Sequence, residues 1–168
     1  QNGREETTTM VMVTEVRNEV KLPVIAAGGL ATGRQMLAAM VLGADGVQMG
    51  SRFVCSEEAS SHINFKQAVL HSQEGDTMLS LKKIVPVRLL KNKFFELVKA
   101  AEINGAAEDE LKQLLGRGRA KKGMFDGDLD EGELEIGQVS SLIKTKKTVT
   151  EVVREIWNEL KLGVKSTI

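Results

Sequence analysis

Apolar residues recur at helical spacing at Met10, Val13, Val16 and Val20, behind a threonine cluster at Thr7 to Thr9 suited to a helix start. The pattern predicts a helix ending near Lys21. Pro23 stops it and opens a short run, Val24-Ile25-Ala26-Ala27, which is apolar on both faces, as a buried parallel strand reads. Gly28 and Gly29 break that strand. Thr32 or Gly33 opens a second helix, with Met36, Leu37, Met40 and Val41 on one face and Gly43 at its end. Gly46-Val47-Gln48-Met49 reads as a second short strand, closed by Gly50-Ser51. Alternation of helix and strand with short connections implies parallel strands and right-handed crossovers. Two strands neither close a barrel nor complete a doubly wound sheet. Either partner strands come from elsewhere, or the chain is a piece of a larger fold.

Beyond Phe53 the pattern changes. Ser56-Glu57-Glu58 opens a segment of helical character through about Ser72, and a short extended stretch follows from Met78 to Ile84. After Pro86 the positions Leu89, Leu90, Phe94, Leu97 and Val98 predict an amphipathic helix. Glu108 to Leu115 predicts another. Gly116 to Gly132, rich in glycine and charge, reads as loop with one helical turn, and Ile136 to Ile143 as a short helix. Thr148 or Thr150 caps a last helix carrying Val152, Val153, Ile156, Trp157 and Leu160, placed to return over the first units.

Composition adds bounds rather than direction. The 168 residues are 42% hydrophobic with zero formal net charge, an ordinary globular balance with no global pull toward nucleic acid or an anionic membrane. The basic clusters at Arg117, Arg119, Lys121, Lys122 and at Lys144, Lys146, Lys147 read as solvated faces, the first being followed closely by Asp126, Asp128, Asp130 and Glu131. A single cysteine, Cys55, forms no internal disulfide and favours a reducing compartment. No apolar stretch is long enough to span a membrane. The chain opens on Gln1-Asn2-Gly3-Arg4 rather than Met, which reads as loop and hints at a preceding portion.

The chemistry lies in the two glycine steps. Adjacent glycines let the backbone turn where other residues resist and let a ligand approach the main chain. Gly28-Gly29 ends one strand and Gly50-Ser51 ends the next, with one helix between. In (β/α)-barrels the loops after the last two strands commonly hold a phosphate. Either step alone reads equally as a turn; together they point to a phosphate cradle, to which Ser51 adds a hydroxyl.

The segment Leu22-Pro-Val-Ile-Ala-Ala-Gly-Gly-Leu-Ala-Thr-Gly-Arg34, with Leu42-Gly-Ala-Asp-Gly-Val-Gln-Met-Gly-Ser-Arg-Phe53, resembles the nitronate monooxygenase (2-nitropropane dioxygenase) family. That family includes the flavin-dependent enoyl-acyl-carrier-protein reductases. The resemblance continues through Glu57, Ser61-His62 and Lys66 and returns at Ile136-Gly137-Gln138-Val139. It implies an α/β fold that is the C-terminal part of a TIM (β/α)8 barrel with a mostly helical inserted subdomain. Residues 1–54 would form the last βα units of an FMN-binding barrel, 55–133 the insertion, and 134–168 the return segment and final helix. It further implies that Ala27, Gly28, Gly29, Gln48, Met49, Gly50 and Ser51 line the phosphate and ribityl end of FMN, with Gln138 near the cofactor.

By the same resemblance, Gln1 occupies the position of the family's proton-handling histidine, in a Gly-Gly-His-x-Gly motif of which Gln1 to Thr9 resemble the tail. Gln is no base near neutral pH, so the catalytic residue stays unassigned. His62 and His71 lack a positioned reaction partner and read as structural or solvent-facing. Cys55 reads as an apolar filler, Met36 and Met40 as helix core, and the acidic run from Asp126 to Glu131 as a solvated turn without the calcium-loop pattern, so no metal is expected.

The expectation is therefore an FMN-dependent, cytoplasmic oxidoreductase that oxidises alkyl nitronates with O2 to a carbonyl compound and nitrite. This chain would carry the FMN phosphate site as a fragment inactive by itself. Its partners would be small molecules, a nitronate or an enoyl thioester with O2 or NAD(P)H, with no nucleic acid and no membrane; an oligomer is left open. The alternatives are an NAD(P)H-dependent enoyl-acyl-carrier-protein reductase, a non-redox phosphate-binding barrel enzyme, and a helical interaction module.

Overall fold

In the computed structural model, residues 7–167 are described. Thr8 caps helix α1 (Thr9–Glu19), which precedes strand β1 (Ile25–Ala27). Helix α2 (Gly33–Val41) starts at Thr32, whose hydroxyl takes the Gln35 N–H while Gln35 reaches back to the Thr32 N–H, a reciprocal cap. Strand β2 (Gly46–Gln48) then pairs parallel to β1, Ile25 opposite Gly46 and Ala27 opposite Gln48. Asp45 fixes this register: its carboxylate accepts the Val24 N–H at 2.8 Å and holds Arg17 at 3.2 Å, while its own N–H donates to the Val24 carbonyl.

A short helix α3 (Ser51–Val54), not expected from the sequence, follows β2 directly. The segment read as helical from Ser56 to Ser72 is helical only as α4 (Ile63–His71). The loop before α4 is pinned instead by Lys66, a buried ammonium donating to the carbonyls of Ser56 (2.7 Å), Ala59 (2.8 Å) and Glu57 (3.3 Å). Strand β3 (Thr77–Ser80) pairs antiparallel with β4 (Val87–Leu90). The helix expected to carry Leu89 and Leu90 therefore begins later, as α5 (Lys93–Ile103). Asn92 caps it by accepting the Phe95 N–H at 2.8 Å, and its buried stripe is Phe94, Phe95 and Val98, with Leu97 exposed. Leu89 and Leu90 are buried in different cores, Leu89 with Phe94 and Phe95 and Leu90 with Phe65 and Leu134, and the strand is held to the return segment by the Leu90 N–H to Leu134 carbonyl and Ile136 N–H to Arg88 carbonyl bonds.

Helix α6 (Glu108–Leu115) and helix α7 (Arg119–Met124) follow, the latter supplying the turn expected within the charged loop. The stretch read as a helix from Ile136 to Ile143 is a 3-10 helix, Gln138–Leu142. Gly137 is extended before it, and the Ile136 N–H donates to the Arg88 carbonyl. Helix α8 (Val149–Thr167) returns across the molecule to lie on α2. Gly33 permits the crossing: a Cβ there would meet the Ile156 carbonyl oxygen, and would lie 2.6 Å from both Glu159 Cβ and Leu160 N.

Three cores result. One gathers Val13, Ala26, Leu30, Ala39 and Ala44 between α1, the parallel strands and α2. A second joins Cys55, Phe65, Val69, Leu90, Leu134, Ile136 and Ile143, and a third packs Leu81, Leu89, Phe94, Phe95, Val98 and Leu111. Several positions expected inside are outside. Met10, Val16, Met40, Val41, Val153 and Trp157 are exposed, and Ile25 shows that β1 is not covered on both faces. The reason is geometric: among the described residues the parallel sheet has two strands, so helices that would pack on further strands have nothing there to cover.

Candidate functional site

The two glycine steps converge. Gly28, Gly29 and Leu30 after β1, with Gln48, Gly50 and Ser51 at the end of β2, line one side of a cleft of about 280 Å³. The other side comes from Val54, Arg88 on β4, and Glu135, Ile136, Gly137 and Val139 in the return segment. The first turn is set by backbone conformation: Gly28 and Gly29 hold φ of 95° and 73°, a region that L side chains rarely adopt. Thr9 on α1 fixes it further, its hydroxyl donating to the Gly28 carbonyl at 2.7 Å.

A Cβ added at Gly29 or at Gly50 would meet no atom within 4 Å. What those missing side chains leave open is therefore space rather than a packed contact. Beside them, the Ser51 hydroxyl oxygen accepts the Gly137 N–H at 2.9 Å, which ties the return segment to the turn after β2. The hydroxyl hydrogen of Ser51 remains available as a donor.

The remaining expected residues lie around this cleft rather than in its lining. Ala27 is exposed at the end of β1. Met49 is half-buried and packs against the core between α1 and α2. Gln138 opens the 3-10 helix and lines an adjoining groove with Gly29, Gln73, Glu74 and Lys144. Gln1, expected at the position of the family's histidine, lies outside the described residues.

Neither histidine reaches the cleft. His62 is the cap of α4, its Nδ1 accepting the Asn64 N–H at 3.1 Å, and His71 lies exposed against the Gln67 carbonyl. Cys55 is buried, and burial pushes its thiol up to about 11, against the smaller opposing pull of Lys66 and Arg52. It is a filler, not a nucleophile. In the acidic run, the Asp128 carboxylate accepts the Glu131 and Asp130 N–H groups and pairs with Lys122, which holds its pKa below the usual range. Among the described residues, no three His, Cys, Asp or Glu side chains gather to hold a metal ion, and no helix is long and apolar enough to cross a membrane.

Sequence reasoning missed Arg88 and Glu135. Both enter the cleft only because β4 pairs with the return segment, Leu89 opposite Glu135, and no local motif marks that pairing.

Comparison with known proteins supplies the context. The model of one protein family, described as Nitronate monooxygenase, matches residues 1–159. A Staphylococcus haemolyticus protein named "Probable nitronate monooxygenase" is 42% identical over 97 residues, 57% of this chain and 27% of its own length. FabK from Thermotoga maritima superposes with a TM-score of 0.90 at 36% identity, over 96% of this chain and 51% of that one. A nitroalkane oxidase from Streptomyces ansochromogenes shares the fold, with a TM-score of 0.77 at 24% identity, over 100% of this chain and 49% of that one. The chain thus spans about a quarter of that curated relative and about half of these solved structures.

Proposed function

The chain belongs to the nitronate monooxygenase family, and on that premise we propose that it carries the FMN phosphate site of an FMN-dependent oxidoreductase acting on small molecules. The observation behind this reading is the cleft itself. Two glycine turns, from the ends of adjacent parallel strands, border open space beside Ser51. Backbone approach without side chains is what a phosphate needs to reach main-chain donors.

The Gly28-Gly29 turn, held by Thr9, and the Gly50-Ser51 step would receive the phosphate, with Gln48 toward the ribityl chain. Ala27 and Met49 would act through their backbone, since Met49 packs its side chain inward. Gln138 would border the site from the adjoining groove. Bound FMN would supply the redox chemistry, accepting and returning electrons; the polypeptide orients it and keeps its phosphate end fixed. The reaction proposed for the whole protein is oxidation of alkyl nitronates with O2 to a carbonyl compound and nitrite, in the cytoplasm.

We place residues 1–54 in the last units of a (β/α)8 barrel, 55–133 in an inserted subdomain and 134–168 in the return and final helix. The insertion is less purely helical than its pattern suggests, since it carries the β3–β4 hairpin. Two parallel strands give the isoalloxazine ring few walls, so this chain alone is expected to bind FMN weakly and not to turn over. FMN retained in stoichiometric amount by the purified chain would contradict that.

A second reading is an NAD(P)H-dependent reductase of enoyl thioesters, since the family that the chain matches and resembles includes flavin-dependent enoyl-acyl-carrier-protein reductases. In the whole protein, nitronate-dependent oxygen uptake supports the first reading. NADH consumption driven by an enoyl thioester supports the second. Absence of flavin absorbance would remove both and leave a phosphate-binding barrel enzyme without redox chemistry.

A further inference from the structure

The cleft holds one cation that neither the glycine pattern nor the family match assigns. Arg88 sits on β4, more than thirty residues beyond the second glycine step, yet lines the same cleft as Gly28, Gly29, Gly50 and Ser51. It arrives there by pairing: the Arg88 carbonyl accepts the Ile136 N–H at 3.1 Å, and the next residue, Gly137, is the one bonded to Ser51.

Its guanidinium is poorly used. Nη1 makes two long contacts of 3.4 Å, to the carbonyl and the hydroxyl of Thr77, and Nε is buried with no partner among the described residues. An arginine offers five N–H donors in a planar fork matched to phosphate oxygens. Contacts of 3.4 Å are at the weak end of hydrogen bonding. Glu135 lines the same cleft, so net charge alone does not draw an anion in. The planar donor set beside two glycine turns offers a phosphate both side-chain and main-chain donors.

We propose that Arg88 is the charged side-chain ligand for a phosphomonoester dianion in this cleft, reaching from the β3–β4 hairpin to complete the glycine cradle. The inference rests on the proposed FMN phosphate site and adds a residue to it. It makes the hairpin part of the cofactor site, so that flavin binding and the placement of the hairpin are coupled.

The test is an NMR titration of the full 168-residue chain with FMN, and separately with riboflavin, which lacks the phosphate. The cradle reading expects the Gly28, Gly29, Gly50 and Ser51 amides to move with FMN and not with riboflavin. The Arg88 proposal expects the Arg88 Nε–H resonance to shift along the same binding curve. It also expects Arg88→Met to weaken FMN roughly ten- to hundredfold, with Arg88→Lys in between. Cradle amides that respond to FMN while Arg88 Nε–H stays still, or an Arg88→Met chain within twofold of the wild type, would overturn the proposal and leave the cradle standing. Amides that ignore FMN, or respond equally to riboflavin, would overturn both. If Arg88→Met does not fold, the wild-type Nε–H signal still decides.

Discussion

The Gly137 N–H donates to the Ser51 hydroxyl at 2.9 Å, although 86 positions separate the two residues in sequence. This contact joins the end of β2 to the return segment and sets the width of the cleft between them. A Cβ on Gly137 would lie 2.6 Å from the same oxygen, so the approach depends on the residue being glycine. Its φ of −72° would suit alanine, which makes the requirement one of space and not of backbone conformation.

Gly137→Ala is accordingly expected to lower stability by about 1–3 kcal/mol through overpacking. Removing the obstructing oxygen with Ser51→Ala should relieve most of that cost, because the two sites touch and their effects are not additive. Urea denaturation of the wild type, both single variants and the double variant closes the cycle. An alanine at position 137 that costs the same in both backgrounds would show that the contact does not set this distance.

The α2–α8 crossing has its own pair. The Gly33 N–H donates to the Glu159 carboxylate at 2.7 Å, so an acidic side chain of the last helix sits at the start of α2. Gly33→Ala would force a Cβ into backbone atoms of α8, which cannot swing aside as a side-chain tip would. A loss of about 3 kcal/mol is expected, near the upper end of overpacking costs. Glu159→Ala should cost about 1–3 kcal/mol by leaving a donor unpaired, and Glu159→Gln less, since the amide oxygen still accepts. Thermal melts of the three variants rank them; a Gly33→Ala chain as stable as wild type would mean the helices do not approach this closely.

These contacts mark the limit of what the sequence reveals. Helices α1 and α2 and strands β1 and β2 are local in origin: threonine caps, apolar periodicity and glycine breaks lie within a few residues of what they control. The convergence of the two glycine steps follows from parallel pairing of neighbouring units and was equally legible. The β3–β4 hairpin was not, because Leu89 and Leu90 fall in helical register with Phe94 and Leu97, and only the pairing with Thr77–Ser80 makes them strand. Arg88 and Glu135 were hidden for the same reason. The loop held by Lys66 was invisible because its fixing bonds run from a buried side chain to main-chain carbonyls, which carry no sequence signature.

Cys55 offers a check on the second core. Its thiol is buried beside Lys66, with Sγ 3.9 Å from the Lys66 carbonyl oxygen, and burial raises its pKa to about 11. The thiolate is the reactive species, so modification by a thiol reagent at neutral pH should be on the order of a hundredfold slower in the native chain than in denaturant. Equal rates would mean that this core opens freely.

Glu133 gives the fold a pH dependence. The residue is 8% exposed, and burial, reinforced by the neighbouring charge of Glu135 and partly opposed by Arg119, raises its pKa above the usual carboxylate value. The native state therefore disfavours the ionised form. Below the unfolded value of about 4.3 the group is protonated in both states and carries no penalty. As pH rises from there through the raised native value, the unfolded chain releases the proton more readily, and stability falls. Glu133→Gln removes the titration while keeping the shape. It should exceed wild type in denaturant midpoint near neutral pH and lose that advantage as pH drops to about 4. A glutamine variant with the same offset at both pH values would mean that shape, and not ionisation, separates it from wild type.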